Sequence, residues 1–302
     1  MSDKTLINVR EAVMEKFFLF CASTSILALL LICIFLFANG IPAIQEVGVR
    51  AFLLGTEWAP LRQYPATPQF GILPMIVGSI YFMIGAIIIG VPVGIFTAIF
   101  FAYMCPDKLY FFLKPVVNLL AGIPSVVYGF FGIVVIVPIV RVLAIQFTGH
   151  LPGGASGMSI LSASILLGIM ILPTIIAISE SAIRAVPKNY YEGALALGAS
   201  HTRSVFFVIV PAAKSGILAS VILGIGRAIG ETMAVVMVAG NHARMPIHAL
   251  RGARSLTANI VMEMGYASGL HRETLIASAV VLFVFILLIN LTFTFIARKS
   301  GM

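Results

Sequence analysis

Long apolar runs separated by short polar stretches set the pattern of this chain. Six runs are long enough to cross a bilayer as helices, at about 1.5 Å of rise per residue. They are Phe17–Ala38, Gly71–Ala102, Pro115–Val140, Ser159–Ala182, Ser215–Gly240 and Thr274–Ala297. The first is longer than the apolar segment of a secretory leader and reads as a retained anchor. No charge occurs between Arg62 and Asp107, and no turn cluster there could make a hairpin, so this stretch reads as one span kinked at Pro92. Gly122 and Pro124 interrupt the third span. Asn39–Pro68, Gly149–Gly157 and Asn241–Glu273 read as loops, the first carrying Glu46, Arg50, Glu57, Trp58 and Arg62. The pattern predicts an all-α polytopic membrane protein with six transmembrane helices.

Composition agrees. Of 302 residues, 60% are apolar and 10% charged, against about 25% charged in a soluble domain, and mean hydropathy is +1.09. A soluble globular, disordered or collagen-like chain is excluded. The net charge of +8 does not point to nucleic acid, because the basic residues sit in short blocks between apolar runs. Their bias favours both termini in the cytoplasm. Lys4, Arg10, Lys16, Lys108, Lys114, Arg184, Lys188, Arg203, Lys214, Arg298 and Lys299 would then lie inside. Arg50, Arg62, Arg141, Arg244, Arg251, Arg254 and Arg272 would lie outside. Arg244, Arg251 and Arg254 run against the positive-inside tendency. They would meet acidic groups on an outer partner, draw an anion to the entrance, or be plain surface charge. Cys21 and Cys33 share one apolar run about 18 Å apart, beyond disulfide reach, and no CxxC pair exists.

Enzyme chemistry finds little support. There is no GxxxxGK[ST] phosphate loop and no HExxH zinc motif. His150, His201, His242, His248 and His271 all fall in predicted loops without ligand spacing, so a surface or interfacial role is expected and neither metal nor cofactor is called for. Ser125, in Gly122-Ile123-Pro124-Ser125, would need a base to act as nucleophile, and no span offers a histidine or lysine partner. The informative span is the fifth, with Gly224-Ile225-Gly226-Arg227-Ala228-Ile229-Gly230-Glu231-Thr232. An arginine near mid-membrane costs about 2.5–3.5 kcal/mol on insertion scales and more often marks a pathway than decoration. A guanidinium stays charged and matches phosphate or carboxylate in bidentate fashion. Glu231, four positions on, would share its helical face and hold Arg227 when no anion is present. A structural ion pair that merely orders the bundle is the competing reading, although Ser220, Gly224, Ala228 and the Gly226/Gly230 pair already offer small-residue packing.

Between spans four and five lies Pro187-Lys188-Asn189-Tyr190-Tyr191-Glu192-Gly193-Ala194-Leu195-Ala196-Leu197-Gly198, then nine residues ending before Val208-Ile209-Val210-Pro211. A proline start, a glycine stop, a second helix and another proline describe a helical elbow, built to be gripped by a soluble partner. It resembles the EAA loop of ABC-transporter permeases. Glu192, Ala194, Gly198 and Pro211 match that pattern at its spacing, while Gly193, Val208 and Val210 replace Ala, Ile and Leu. Three further segments are similar to phosphate-importer permeases of the PstC type: Phe52–Pro60, Gly122–Gly129 and Gly226–Val235. Leu256–Ile260 before Glu263-Met264-Gly265 is similar to the same group.

The resemblance implies a type I ABC importer permease fold and a non-catalytic subunit of an ATP-driven phosphate importer in the bacterial plasma membrane. It implies a second permease of the PstA type, an ATP-binding dimer of the PstB type and an extracytoplasmic phosphate-binding protein of the PstS type, besides membrane lipid. It assigns phosphate translocation to Arg227 and Glu231, and ATPase coupling to Glu192, Gly193, Ala194, Gly198 and Pro211. The implied organisation is an N-terminal segment, first span and outer loop over 1–70, a transmembrane core over 71–297 with its coupling loop at about 185–214, and a tail over 298–302. A PstA-type sister, a sulfate or molybdate permease, and an ion-coupled transporter are the alternatives. The last of these needs no ATPase dock.

Overall fold

The computed structural model describes residues 3–62, 67–148 and 156–300; His150 and most of the Gly149–Gly157 loop fall outside them. The first span is part of a longer helix, α1 (Asp3–Val47), because Asn39–Val47 continues the helix where a loop was expected. Its apolar stretch from Phe17 to Phe35 is exposed along most of its length, whereas Gly40 and Ala43 seat its end on the last helix. A short helix α2 (Val49–Leu54) and a two-stranded hairpin, β1 (Trp58–Ala59) against β2 (Gln69–Phe70), form a compact cap. Phe52, Trp58, Phe70, Ile72 and Met75 are buried in it with Leu256 and Leu275.

The core is a helix pair. α3 (Leu73–Ile99, continued by a π turn over Phe100–Met104) lies parallel to α7 (Ile160–Arg184). Their backbones approach closely because glycine faces bulk. A Cβ on Gly90 would sit 2.7 Å from the Gly168 carbonyl, and one on Gly94 2.7 Å from Ile175. In a medium as apolar as the side chains themselves, such small-residue contact is what holds spans together. The helix runs through Pro92 without a break.

The third span starts later than expected. α4 (Asp107–Gly122) is a separate helix, and the crossing segment is Ser125–Gln146, made of α5 (Ser125–Phe131), a π turn and α6 (Val137–Thr148). Pro124 supplies no N–H and forces Ile123 into an extended conformation, which ends α4. After α7 comes the elbow: α8 (Lys188–Ala196), α9 (His201–Ser204), a π turn over Val205–Ile209 and α10 (Val210–Ala212). The chain then bends by 69° into α11 (Lys214–Gly230). The remaining helices are α12 (Met233–Val238), α13 (Leu256–Glu263) and α14 (Gly269–Ser300). Among the described residues five helices are long and apolar enough to cross a membrane, and six if the bent pair counts as one span.

Candidate functional site

The fifth span is not continuous. α11 ends at Gly230, Glu231 leaves it with extended backbone (φ −70°, ψ 132°), and the helix resumes at Met233 as α12. Three glycines at 224, 226 and 230 weaken the last turns of α11. Glu231 then organises the break. Its Oε1 accepts hydrogen bonds from the Thr232 and Ala234 amides at 3.1 and 3.2 Å. A carboxylate there satisfies N–H groups that the start of α12 leaves unpaired, and complements the positive end of its dipole. The Glu231 carbonyl accepts a bond from Thr257 Oγ1 of α13 at 3.1 Å, fixing the break to the neighbouring segment.

Arg227 sits in the last turn of α11, half-buried. Its Nη1 donates a long 3.4 Å bond to Thr174 Oγ1, one residue past Pro173 in α7. No Arg227–Glu231 ion pair forms, which corrects the expectation from their spacing. The helix has ended before Glu231, so the i,i+4 geometry does not exist and the carboxylate turns toward α12. Arg227 therefore has no carboxylate partner among the described residues. Gly226 and Gly230 do not pack within the chain either: a Cβ on each would meet open space. Ser220, Gly224 and Ala228 do pack, with Ser220 Oγ 2.7 Å from Ser179 Oγ.

A second break lies beside the first. Tyr128 of α5 donates its hydroxyl to the Leu120 carbonyl of α4 at 2.8 Å, closing a helix end that Ile123 and Pro124 leave open. Gly129 lets α5 lie on α12, where a Cβ would come 3.2 Å from the Ala234 Cα. Tyr128 is also within electrostatic reach of Arg227. Interrupted helices at membrane depth occur where backbone is buried in protein or lines a cavity. Ser125 merely opens α5, and among the described residues no histidine or lysine is bonded to it.

The elbow has the expected form. Pro187 precedes α8, and Gly198 takes φ +84° after it, a conformation that L side chains resist. Ser200 caps α9 through a 3.4 Å bond from the Arg203 amide. Ala194 is buried, and Tyr191 Oη bonds His201 Nδ1. Glu192, Gly193, Leu195 and Leu197 face outward, with Leu197 91% exposed, and Pro211 opens the turn toward α11.

Two buried carboxylates escaped the sequence reading. Glu180, near the end of α7 and 2% exposed, accepts bonds from Lys114 Nζ (2.6 Å), Tyr110 Oη (2.7 Å) and Arg184 Nε (2.9 Å). Arg184 also bonds the Phe101 carbonyl and lies over the Tyr110 ring. The cluster ties α3, α4 and α7 together immediately before the elbow. Glu180 was visible as the lone acid in the fourth apolar run. Glu263 of α13 accepts from Arg254 Nη1 (2.6 Å), Trp58 Nε1 (2.9 Å) and His271 Nε2 (2.9 Å). Arg254 further donates to Asn259 Oδ1 and the Asn241 carbonyl. Arg254 is thus an internal tie and not a free surface cation, and His271 is buried rather than surface-exposed. Arg244 and Arg251 remain exposed. Nearby, burial and then the Glu263 charge push the Tyr266 phenol up, while Arg62 holds the exposed Glu57 carboxyl down, by hydrogen bond first and charge second.

Residues 90–300 match the family described as binding-protein-dependent transport system inner membrane component, and the chain belongs to that family. It is 39% identical over 278 residues to the probable ABC transporter permease protein YqgH of Bacillus subtilis, covering 89% of this chain and 86% of that protein. It is 34% identical over 302 residues to the phosphate transport system permease protein PstC of Mesorhizobium japonicum, covering 93% and 90% respectively. The fold matches a solved bacterial alginate ABC transporter in complex with an alginate pentasaccharide-bound periplasmic protein, with TM-score 0.64 and 14% identity over 96% of this chain and 97% of that one. The chain is an all-α, multi-pass membrane protein with the type I ABC importer permease fold.

Proposed function

We propose that this chain is one of two permease subunits of an ATP-driven importer of inorganic phosphate, with Arg227 as the anion contact. One observation carries the reading: a half-buried guanidinium without a carboxylate partner among the described residues, at the junction of two interrupted helices, beside glycines that leave space open. Phosphate permeases among the relatives support phosphate as the ion. Glu231 has a positioning role, holding the helix break that presents Arg227. The transmembrane core spans 71–297, with 1–70 as segment, first span and cap, and 298–302 as tail.

ATP hydrolysis belongs to a separate ATPase dimer, which grips α8 over Glu192, Gly193 and Ala194. Gly198 and Pro211 set the angles at which the coupling loop, about 185–214, joins the spans. An extracytoplasmic phosphate-binding protein delivers the ion at the opposite end, and a PstA-type permease supplies the other half of the pathway. Both termini lie in the cytoplasm, so a cysteine at Ser156 labels from outside and one at Ser300 needs a permeant reagent. The deciding experiment is phosphate uptake by the intact complex in vesicles. Uptake by wild type and its loss in Arg227→Gln support the reading. Equal uptake by both defeats it, and uptake of sulfate or molybdate instead of phosphate moves the assignment to another oxyanion.

A further inference from the structure

At the end of the core pair away from the elbow lies a groove of about 460 Å³. Tyr81, Ile84, Gly85, Ile88 and Ile89 form one wall as a single stripe of α3. The opposite wall is the first turn of α7, at Ile160, Leu161 and Ser164, and Ile247–Ala249 form the mouth. The stripe from Tyr81 to Ile89 is about 12 Å long at helical rise. One leaflet of hydrocarbon is about 15 Å deep.

The mouth is held in place and is basic. The Ile160 amide donates to the Arg251 carbonyl and the Leu161 amide to the Ala249 carbonyl, at 3.0 and 2.9 Å, so the loop is fastened to the start of α7. Arg244 and Arg251 flank the mouth residues in sequence, and both residues are exposed and make no ion pair among the described residues. Ile247 between them is 73% exposed. An apolar residue held out between cations, at the end of a bundle, suits the headgroup boundary of a bilayer. Below it, Ile88 on the groove rim is 67% exposed.

We infer that this groove seats one acyl chain of an anionic phospholipid, whose headgroup phosphate is held by Arg244 and Arg251. An uncharged lipid would satisfy the groove but leave both guanidinium groups unanswered. A free phosphate would answer the charges but not the aliphatic walls. The site is independent of the ion that Arg227 passes, and it gives the two exposed arginines a role that does not need a soluble partner.

The test titrates the delipidated intact complex with palmitoyl-oleoyl phosphatidylglycerol or phosphatidylcholine and counts bound lipid by native mass spectrometry. Phosphatidylglycerol should bind more tightly. The double variant Arg244→Gln/Arg251→Gln should lose roughly ten- to thirty-fold of that affinity, with phosphatidylcholine unchanged. Ile88→Trp, a change at an exposed rim position, should obstruct the groove and weaken both lipids. The inference is overturned if the double variant binds phosphatidylglycerol as wild type does. Displacement of the lipid by millimolar inorganic phosphate would make the mouth a free-anion site instead. Cross-linking of a cysteine at Ile88 to another subunit, and not to a photoactivatable acyl chain, would give the groove to a protein.

Discussion

The Glu231 carboxylate accepts the Ala234 amide at 3.2 Å, so the acid expected to neutralise Arg227 instead holds the start of α12. Two substitutions separate these roles. Glu231→Gln keeps an oxygen acceptor at the helix start and loses only the charge–dipole part, about 0.3–1 kcal/mol. Glu231→Ala removes the acceptor and should cost about 1 kcal/mol or more of local stability. Uptake in vesicles should therefore fall modestly in Glu231→Gln and further in Glu231→Ala. Equal collapse in both would mean that the negative charge itself acts in transport.

Gly198 at φ +84° turns the chain between α8 and α9, and a Cβ there meets no neighbour. The strain of Gly198→Val is consequently in the backbone alone, about 1–3 kcal/mol. Relieving it rotates α8 relative to the π turn and carries Glu192 and Leu197 out of place. Pull-down of the ATPase subunit should weaken, and phosphate-dependent ATP turnover should be lost. Gly193→Ala restores the alanine that the loop pattern carries at that position and meets no neighbour within the chain, so both should stay close to normal.

Glu263 ties together Trp58, Arg254 and His271, which come from the cap, the loop before α13 and the start of α14. The Arg254 and Glu263 side chains are 15% and 9% exposed. Removing one partner of a buried pair strands the other charge, typically at about 3–5 kcal/mol. Glu263→Ala should lower the melting temperature of the purified complex strongly, and Trp58→Phe less so. Reversing exposed Arg244 to Glu should change stability by less than about 0.5 kcal/mol. A silent Glu263→Ala would show that the cap is held by its apolar contacts alone.

These contrasts explain what was legible in the sequence. The elbow was readable because its signals are local: Pro187 starts a helix, Gly198 stops it and Pro211 turns the chain. The spans were readable because bilayer thickness imposes a length on apolar runs. The break at Glu231 was not, because Gly224, Gly226 and Gly230 suit both tight packing and a weakened helix, and only the tertiary bond from Thr257 decides between them. The Glu263 cluster was hidden for another reason. Trp58 lies 205 positions away along the chain, a pairing that no spacing rule reaches. Arg254 consequently looked like its neighbours Arg244 and Arg251 although its environment is opposite.

Arg227 yields the sharpest expectation, and the missing ion pair sharpens it further. Had Glu231 been its partner, Arg227→Gln would have stranded a buried carboxylate, and lost uptake could have been lost folding. Glu231 is held by two amides, so among the described residues Arg227→Gln breaks only the long bond to Thr174. The complex should assemble with an unchanged melting temperature while uptake falls roughly ten- to hundred-fold, the loss expected for a charge-assisted contact made in the passing state. Arg227→Lys keeps the charge without the planar fork and should recover part of the rate. Thr174→Val removes the hydroxyl that bonds the guanidinium and should act more weakly, through the aim of Arg227. Uptake, ATP turnover and melting temperature measured on the same preparations distinguish a pathway contact from a structural one. Loss of stability in step with transport would assign Arg227 to the frame of the bundle.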